Sequence, residues 1–174
     1  MPRMARCCGS LAVSFLLFGC VASKTPLFDP GKAITSVPTG EYVAETLVYG
    51  GRTQHTHTVK ISGNEYHWKG APPFRLFEIG DGFMVAQAER KDVDGNIVEY
   101  LYDLVEVRNS VYLQYGLLCA DILNSLPAPE RTPVITKEGY VGLVCTFSDQ
   151  NRLITSFRAA AKRLRPTTRY VLGE

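Results

Sequence analysis

The sequence lacks the short motifs that mark the common enzyme classes. It has no G-x-S-x-G nucleophile turn, no H-E-x-x-H metal motif and no glycine-rich phosphate loop. Its carboxylates are scattered, mostly beside predicted turns or on outward strand positions, so the sequence marks no acid–base pair. These absences favour a non-catalytic protein without a cofactor. A hydrolase whose site assembles only in three dimensions is the least favoured alternative.

The sequence also lacks an uncharged run long enough to cross a bilayer, which takes about 20 residues. Residues 7–19 carry no charge, and they follow a short basic stretch that contains Arg3 and Arg6. A basic region followed by a short apolar region is typical of a secretory signal. We therefore expect residues 1–19 to be a signal peptide that lies outside the fold.

This segment ends in Leu17-Phe18-Gly19-Cys20. These residues resemble the lipobox of bacterial lipoproteins, in which an aliphatic, a loosely specified and a small residue precede the cysteine. The resemblance implies that Cys20 begins the mature chain and carries acyl groups such as palmitate, which give lasting membrane attachment. With Val21 next, where inner-membrane proteins usually have Asp, it implies the outer membrane facing the periplasm if the cell is Gram-negative. A conventional signal cleaved near residues 21–23 is the main alternative.

Few cysteines remain for the folded domain. Of the five, Cys7 and Cys8 leave with the signal and Cys20 takes the lipid, so Cys119 and Cys145 are left. An even pair in an oxidising compartment predicts a disulfide, which would stabilise the domain by about 3 kcal/mol. Two free thiols or half of a metal site are the alternatives. They are less favoured because there is no C-x-x-C spacing and no nearby histidine.

The net charge is zero once the signal is removed, since 17 basic and 17 acidic residues then remain. A neutral chain gives no support for a nucleic-acid partner, which requires a sustained basic surface. The C-terminal part is an exception, because from residue 152 onward six cations face only Glu174: Arg152, Arg158, Lys162, Arg163, Arg165 and Arg169. A basic helix near a membrane can contact anionic lipid or an acidic partner. A solvated helix face is the simpler interpretation.

The domain boundaries follow from composition. Residues 20–40 are rich in proline and glycine, which predicts a lipidated N-terminus and tether. Residues 41–174 are the length of one globular domain. Their short strands, separated by turn residues every eight to twelve positions, predict a largely antiparallel β-sheet that is sandwich- or barrel-like.

A C-terminal amphipathic helix should pack on this sheet. Leu153, Phe157 and Leu164 mark an apolar stripe at helical spacing, Ser148 or Asp149 can cap its start, and Pro166 ends it. The expected fold class is therefore α+β. An all-β barrel with a helical appendage is the alternative.

Three histidines are the first candidates for a metal site. His55 and His57 share one face of a predicted strand, a geometry that metals exploit. A Gly63-Asn64 turn pairs Lys60 with His67 and so places His67 on the other face of the sheet. His55 and His57 alone are weak candidates for metal ligands, and we predict no bound metal. Residues 92–96 resemble a calcium loop only faintly and favour a hairpin turn.

These patterns predict a membrane-anchored envelope lipoprotein that binds a protein or surface component. A carrier of a small apolar ligand or lipid is the alternative. Many aromatic residues fall on predicted strands, where a packed core is the usual explanation. An internal cavity would favour the carrier, and a filled core with an exposed apolar patch would favour the binding module.

Overall fold

The computed structural model describes residues 21–47, 54–69, 71–122, 130–135 and 141–173. These residues form eleven strands joined in one sheet, and two α-helices. The strands are β1 (Val21–Ser23), β2 (Gly40–Thr46), β3 (Gln54–Ser62), β4 (Glu65–Trp68), β5 (Phe74–Gly80), β6 (Phe83–Lys91), β7 (Ile97–Arg108), β8 (Val111–Gln114), β9 (Glu130–Ile135), β10 (Val141–Thr146) and β11 (Thr168–Leu172). The helices are α1 (Cys119–Ile122) and α2 (Gln150–Ala161).

Eight of the strands form a closed barrel. Their order is β6-β5-β4-β3-β2-β11-β8-β7, and β6 also pairs with β7, which closes the ring. All eight pairings are antiparallel. The expected antiparallel sheet is therefore present in its barrel form. The predicted helix is present too, but β11 follows it and completes the barrel.

The strand β7 connects the barrel to a three-stranded extension. One edge of β7 pairs with β8 from Val105 onward and with β1 at Leu101 and Tyr100. Beyond β1 lie β10, which is parallel to it, and then β9 at the sheet edge. Pro133 lies in β9. An edge strand accommodates proline because its outer side needs no hydrogen-bond donor.

Residues 21–40 differ from the expected tether. Val21, Ala22 and Ser23 are at most 1% exposed and lie between β7 and β10. Phe28 stacks on Phe77 with ring centroids 4.8 Å apart. The Val37 N–H donates to the Tyr66 hydroxyl at 3.1 Å. The prolines and glycines here mark irregular backbone, while the apolar residues between them bind the segment to the barrel.

The barrel wall separates two apolar cores. The inner core lies within the barrel and contains Trp68, Tyr112 and Tyr170. The outer core lies between β5, β6 and β7 and the helix α2, whose Leu153 and Phe157 are fully buried. Because side chains alternate along a strand, β7 contributes to both cores.

Several local predictions are confirmed. Asp149 caps α2, since its Oδ1 accepts from the Arg152 N–H at 2.9 Å. The Gly63-Asn64 turn gives the expected pairing of Lys60 with His67. A short turn also joins β5 to β6 at residues 80–82.

Candidate functional site

The predicted lipidation site falls at the margin of the structure. Leu17, Gly19 and Cys20 lie outside the described residues, so the lipid anchor remains a prediction. The described chain begins at Val21, which is covalently next to Cys20 and fully buried. Neither α1 nor α2 is long and apolar enough to cross a membrane.

The predicted disulfide is present. Cys119 and Cys145 are bonded, with their Cα atoms 5.1 Å apart. Cys119 begins α1 and Cys145 lies in β10, directly opposite Val21 of β1. The bond therefore holds α1 against the strand next to the start of the described chain.

The histidines are separated as the register predicted. His55 and His57 lie 6.5 Å apart by ring centroid on β3, while His67 lies on β4 close to Glu65. The Trp68 indole N–H donates to Nδ1 of His57 at 2.6 Å. Burial, and then the neighbouring His55, lower the pKa of His57, so the neutral ring is favoured. Among the described residues, no three His, Cys, Asp or Glu side chains are grouped to hold a metal.

A buried polar cluster lies in the barrel, and sequence patterns did not identify it. Oδ1 of Asp103 accepts from the Leu104 N–H at 2.8 Å, and the N–H groups of Gly116 and Leu117 also hydrogen-bond the carboxylate. Nε2 of Gln114 donates to Asp103 Oδ2 at 2.5 Å, and the Tyr170 hydroxyl donates to Oε1 of Gln114 at 2.9 Å. Burial raises the pKa of Asp103 to about 7 despite these donors. A lone aspartate between Tyr102 and Leu104, in a strand that is apolar on both faces, was the available signal.

The free space beside this cluster is small. A cavity of about 20 Å³ is bordered by Trp68, Phe74 and Asp103, and a second of about 10 Å³ lies beneath Val37 and Tyr66. A water molecule needs roughly 10–15 Å³ of such cavity space. These cavities therefore have room for a water molecule at most, and neither holds an acyl chain.

The two buried carboxylates of the described residues, Asp103 and Glu106, do not lie together in one site. Asp103 faces the inner core, whereas Glu106 on the same strand lies on the outer face, where its Oε2 accepts from the Tyr115 hydroxyl at 3.0 Å. Three positions apart on a strand, the two point to opposite sides of the sheet. Asp103 is held by main-chain donors at the point where β8 leaves β7, which gives it a structural role.

The β6–β7 hairpin ends in an exposed turn. Residues 90–98 are all exposed, and Val93 at the tip is fully exposed. Oδ1 of Asp92 accepts from the N–H groups of Asp94 and Asn96, at 3.0 and 2.9 Å, which fixes the turn. Ile97 and Val98 add two more exposed apolar side chains. The hairpin turn was expected, and its apolar surface was not.

A second surface lies at the C-terminal end of α2. Lys162, Arg163 and Arg165 are exposed, and none of them forms an ion pair with another described residue. Arg163 donates from Nη2 to the main-chain oxygen of Asp121 at 2.9 Å, which joins α2 to α1.

Comparisons with known proteins give no relative from which to take a function. No protein-family model matches this chain, and no curated protein or solved structure matches it significantly.

Proposed function

We propose that this protein is a lipid-anchored module of the bacterial cell envelope that binds a protein partner and has no catalytic site. The lipid would be attached to Cys20, on the outer membrane facing the periplasm in a Gram-negative cell. The observation that carries the binding role is the exposed apolar tip of the β6–β7 hairpin. Large exposed apolar side chains on a rigid projection are typical of a docking surface.

The direction of the hairpin supports this role. Ala22 lies opposite Leu101 and Ser23 opposite Tyr100, so β1 runs from Val21 toward the hairpin tip. Leu101 is six positions after Gly95 at the turn, which is about 20 Å of extended strand. A lipid at residue 20 would hold the opposite end of this axis, so the tip would face away from the membrane.

The filled barrel argues against the carrier alternative. The inner core is occupied by aromatic rings in close contact, such as Trp68 and Tyr170, whose ring centroids are 4.5 Å apart. Eight strands enclose an interior that side chains can fill, and here they fill it. A bound lipid would have to displace these rings, which a rigid packed core opposes.

A photocrosslinking amino acid placed at Val93 in cells tests the proposal. Val93 is fully exposed, so the replacement should not disturb the fold. We expect a discrete protein adduct at position 93 and none at Lys60, an exposed position on β3. Ile97→Asp should remove the adduct, whereas Val43→Asp, which alters a similarly exposed apolar residue on β2, should leave it. An adduct that survives Ile97→Asp, or appears only at position 60, would reject the hairpin as the docking site.

A further inference from the structure

We propose that the basic end of α2, formed by Lys162, Arg163 and Arg165, contacts anionic lipid headgroups of the membrane that holds the anchor. This inference rests on the proposed lipidation of Cys20 and adds a second, electrostatic contact to it. The contact would fix how the domain sits on the membrane surface.

The described residues next to Cys20 do not form a flexible tether. Val21 and Ala22 are buried between β7 and β10, so the residue that follows Cys20 in the sequence is already part of the sheet. A lipid on residue 20 would therefore keep the adjacent surface of the domain close to the headgroups. With a flexible tether of twenty residues, no particular surface would be favoured.

The path from Val21 to the cations is short. Val21 lies opposite Cys145, and Cys145 is bonded to Cys119 with their Cα atoms 5.1 Å apart. Two residues later, the main-chain oxygen of Asp121 accepts from Arg163 at 2.9 Å. Summed along this path, the Arg163 guanidinium lies within about 20 Å of Val21.

The charge of this surface also fits an anionic membrane. Three cations lie within four residues, and Asp121 is the one carboxylate that these contacts place beside them. That carboxylate accepts from the Leu118 N–H at 2.8 Å rather than pairing with the cations. Leu118 is 54% exposed, so an apolar side chain accompanies the cations. Cations that form no ion pair with another described residue, beside an exposed apolar side chain, complement an anionic membrane surface.

Lysine footprinting of the lipidated full-length protein tests this contact. The protein is placed in vesicles of phosphatidylcholine alone or with phosphatidylglycerol, and amine acetylation is read at each lysine by mass spectrometry. We expect Lys162 to be protected about fivefold more in the anionic vesicles, and this protection to fall with added salt. Lys60 and Lys91 should react equally in both vesicles.

Two variants separate local charge from total charge. Arg163→Gln/Arg165→Gln should remove most of the extra protection of Lys162. Arg152→Gln/Lys69→Gln removes the same charge from exposed positions elsewhere and should leave the protection unchanged. Equal reactivity of Lys162 in the two vesicles, or equal loss in both variants, would overturn the inference.

The intact mass of the purified protein distinguishes this failure from failure of the anchor. An acylated protein whose Lys162 is unprotected would reject the membrane contact alone. A protein without acyl groups would reject the proposed anchor, and the membrane contact with it.

Discussion

Gln114 donates to the carboxylate of Asp103 at 2.5 Å inside the closed barrel. The pair lies where β8 separates from β7, and the main chain of residues 116 and 117 also hydrogen-bonds Asp103. The barrel and the extension that carries β1 meet at this point. The protonation of one buried carboxyl is therefore coupled to the stability of the junction.

The first prediction concerns the pH dependence of this junction. Burial raises the pKa of Asp103 to about 7, so the neutral form favours the folded state. This stabilisation is complete below the unfolded-state pKa of about 3.9 and is lost as the pH rises through 7. Relative to Asp103→Asn, the wild-type free energy of unfolding should fall by about 2–4 kcal/mol from pH 4 to pH 8.

Urea denaturation across this pH range measures the difference. Asp81→Asn, at an exposed turn, should follow the wild-type profile. Parallel profiles for wild type and Asp103→Asn would contradict a raised pKa at Asp103.

The second prediction uses Trp68, the sole tryptophan, as a reporter of His57. The indole N–H donates to Nδ1 of His57, so protonation of that nitrogen breaks the bond. Because the pKa of His57 is lowered, the neutral ring stabilises the fold above pH 6.5, and this is lost as the pH falls. Tryptophan fluorescence should change with a midpoint below 6.5. His57→Gln should abolish the transition, and His55→Gln should raise its midpoint by removing a neighbouring charge.

The third prediction concerns the disulfide. Cys119→Ala/Cys145→Ala should lower the free energy of unfolding by about 3 kcal/mol, because the bond closes a loop between residues 26 apart. Wild-type protein under strong reductant should show a similar loss. Non-reducing peptide mapping should recover the two cysteines joined. Alkylation of both thiols in the native protein would be the opposite result.

The fourth prediction concerns the cap of α2. Asp149→Ala should cost about 1 kcal/mol, because the first turn loses its acceptor for the Arg152 N–H. Asp149→Asn retains an acceptor oxygen and should cost much less. Thermal or urea unfolding measures both variants, and equal costs for them would argue against the cap.

The sequence was sufficient where local chemistry decides the structure. Asp149 and the apolar stripe with Leu153 and Phe157 predicted α2, and the Gly63-Asn64 turn predicted the register of β3 with β4. Cys119 and Cys145 were predicted as a pair by counting. Each of these features depends on residues close in sequence or on the number of cysteines.

The features that the sequence did not predict depend on strand pairing between residues far apart in the chain. Nothing local to Val21 indicates that it pairs with Cys145, and the prolines of residues 20–40 suggested a tether. The closure of β6 on β7, which buries Asp103, is also a property of the whole ring. An aspartate in a strand with one solvated face would point outward, and here both faces of β7 are covered around Asp103.

Acyl labelling of Cys20→Ala, with membrane fractionation, tests the central claim most directly. Cys8→Ala removes a cysteine from the same N-terminal segment and serves as the matched control. We expect Cys20→Ala to lose the label and leave the membrane fraction, while Cys8→Ala keeps both. Undiminished labelling and membrane association of Cys20→Ala would contradict the lipid anchor, and with it the proposed orientation of the hairpin.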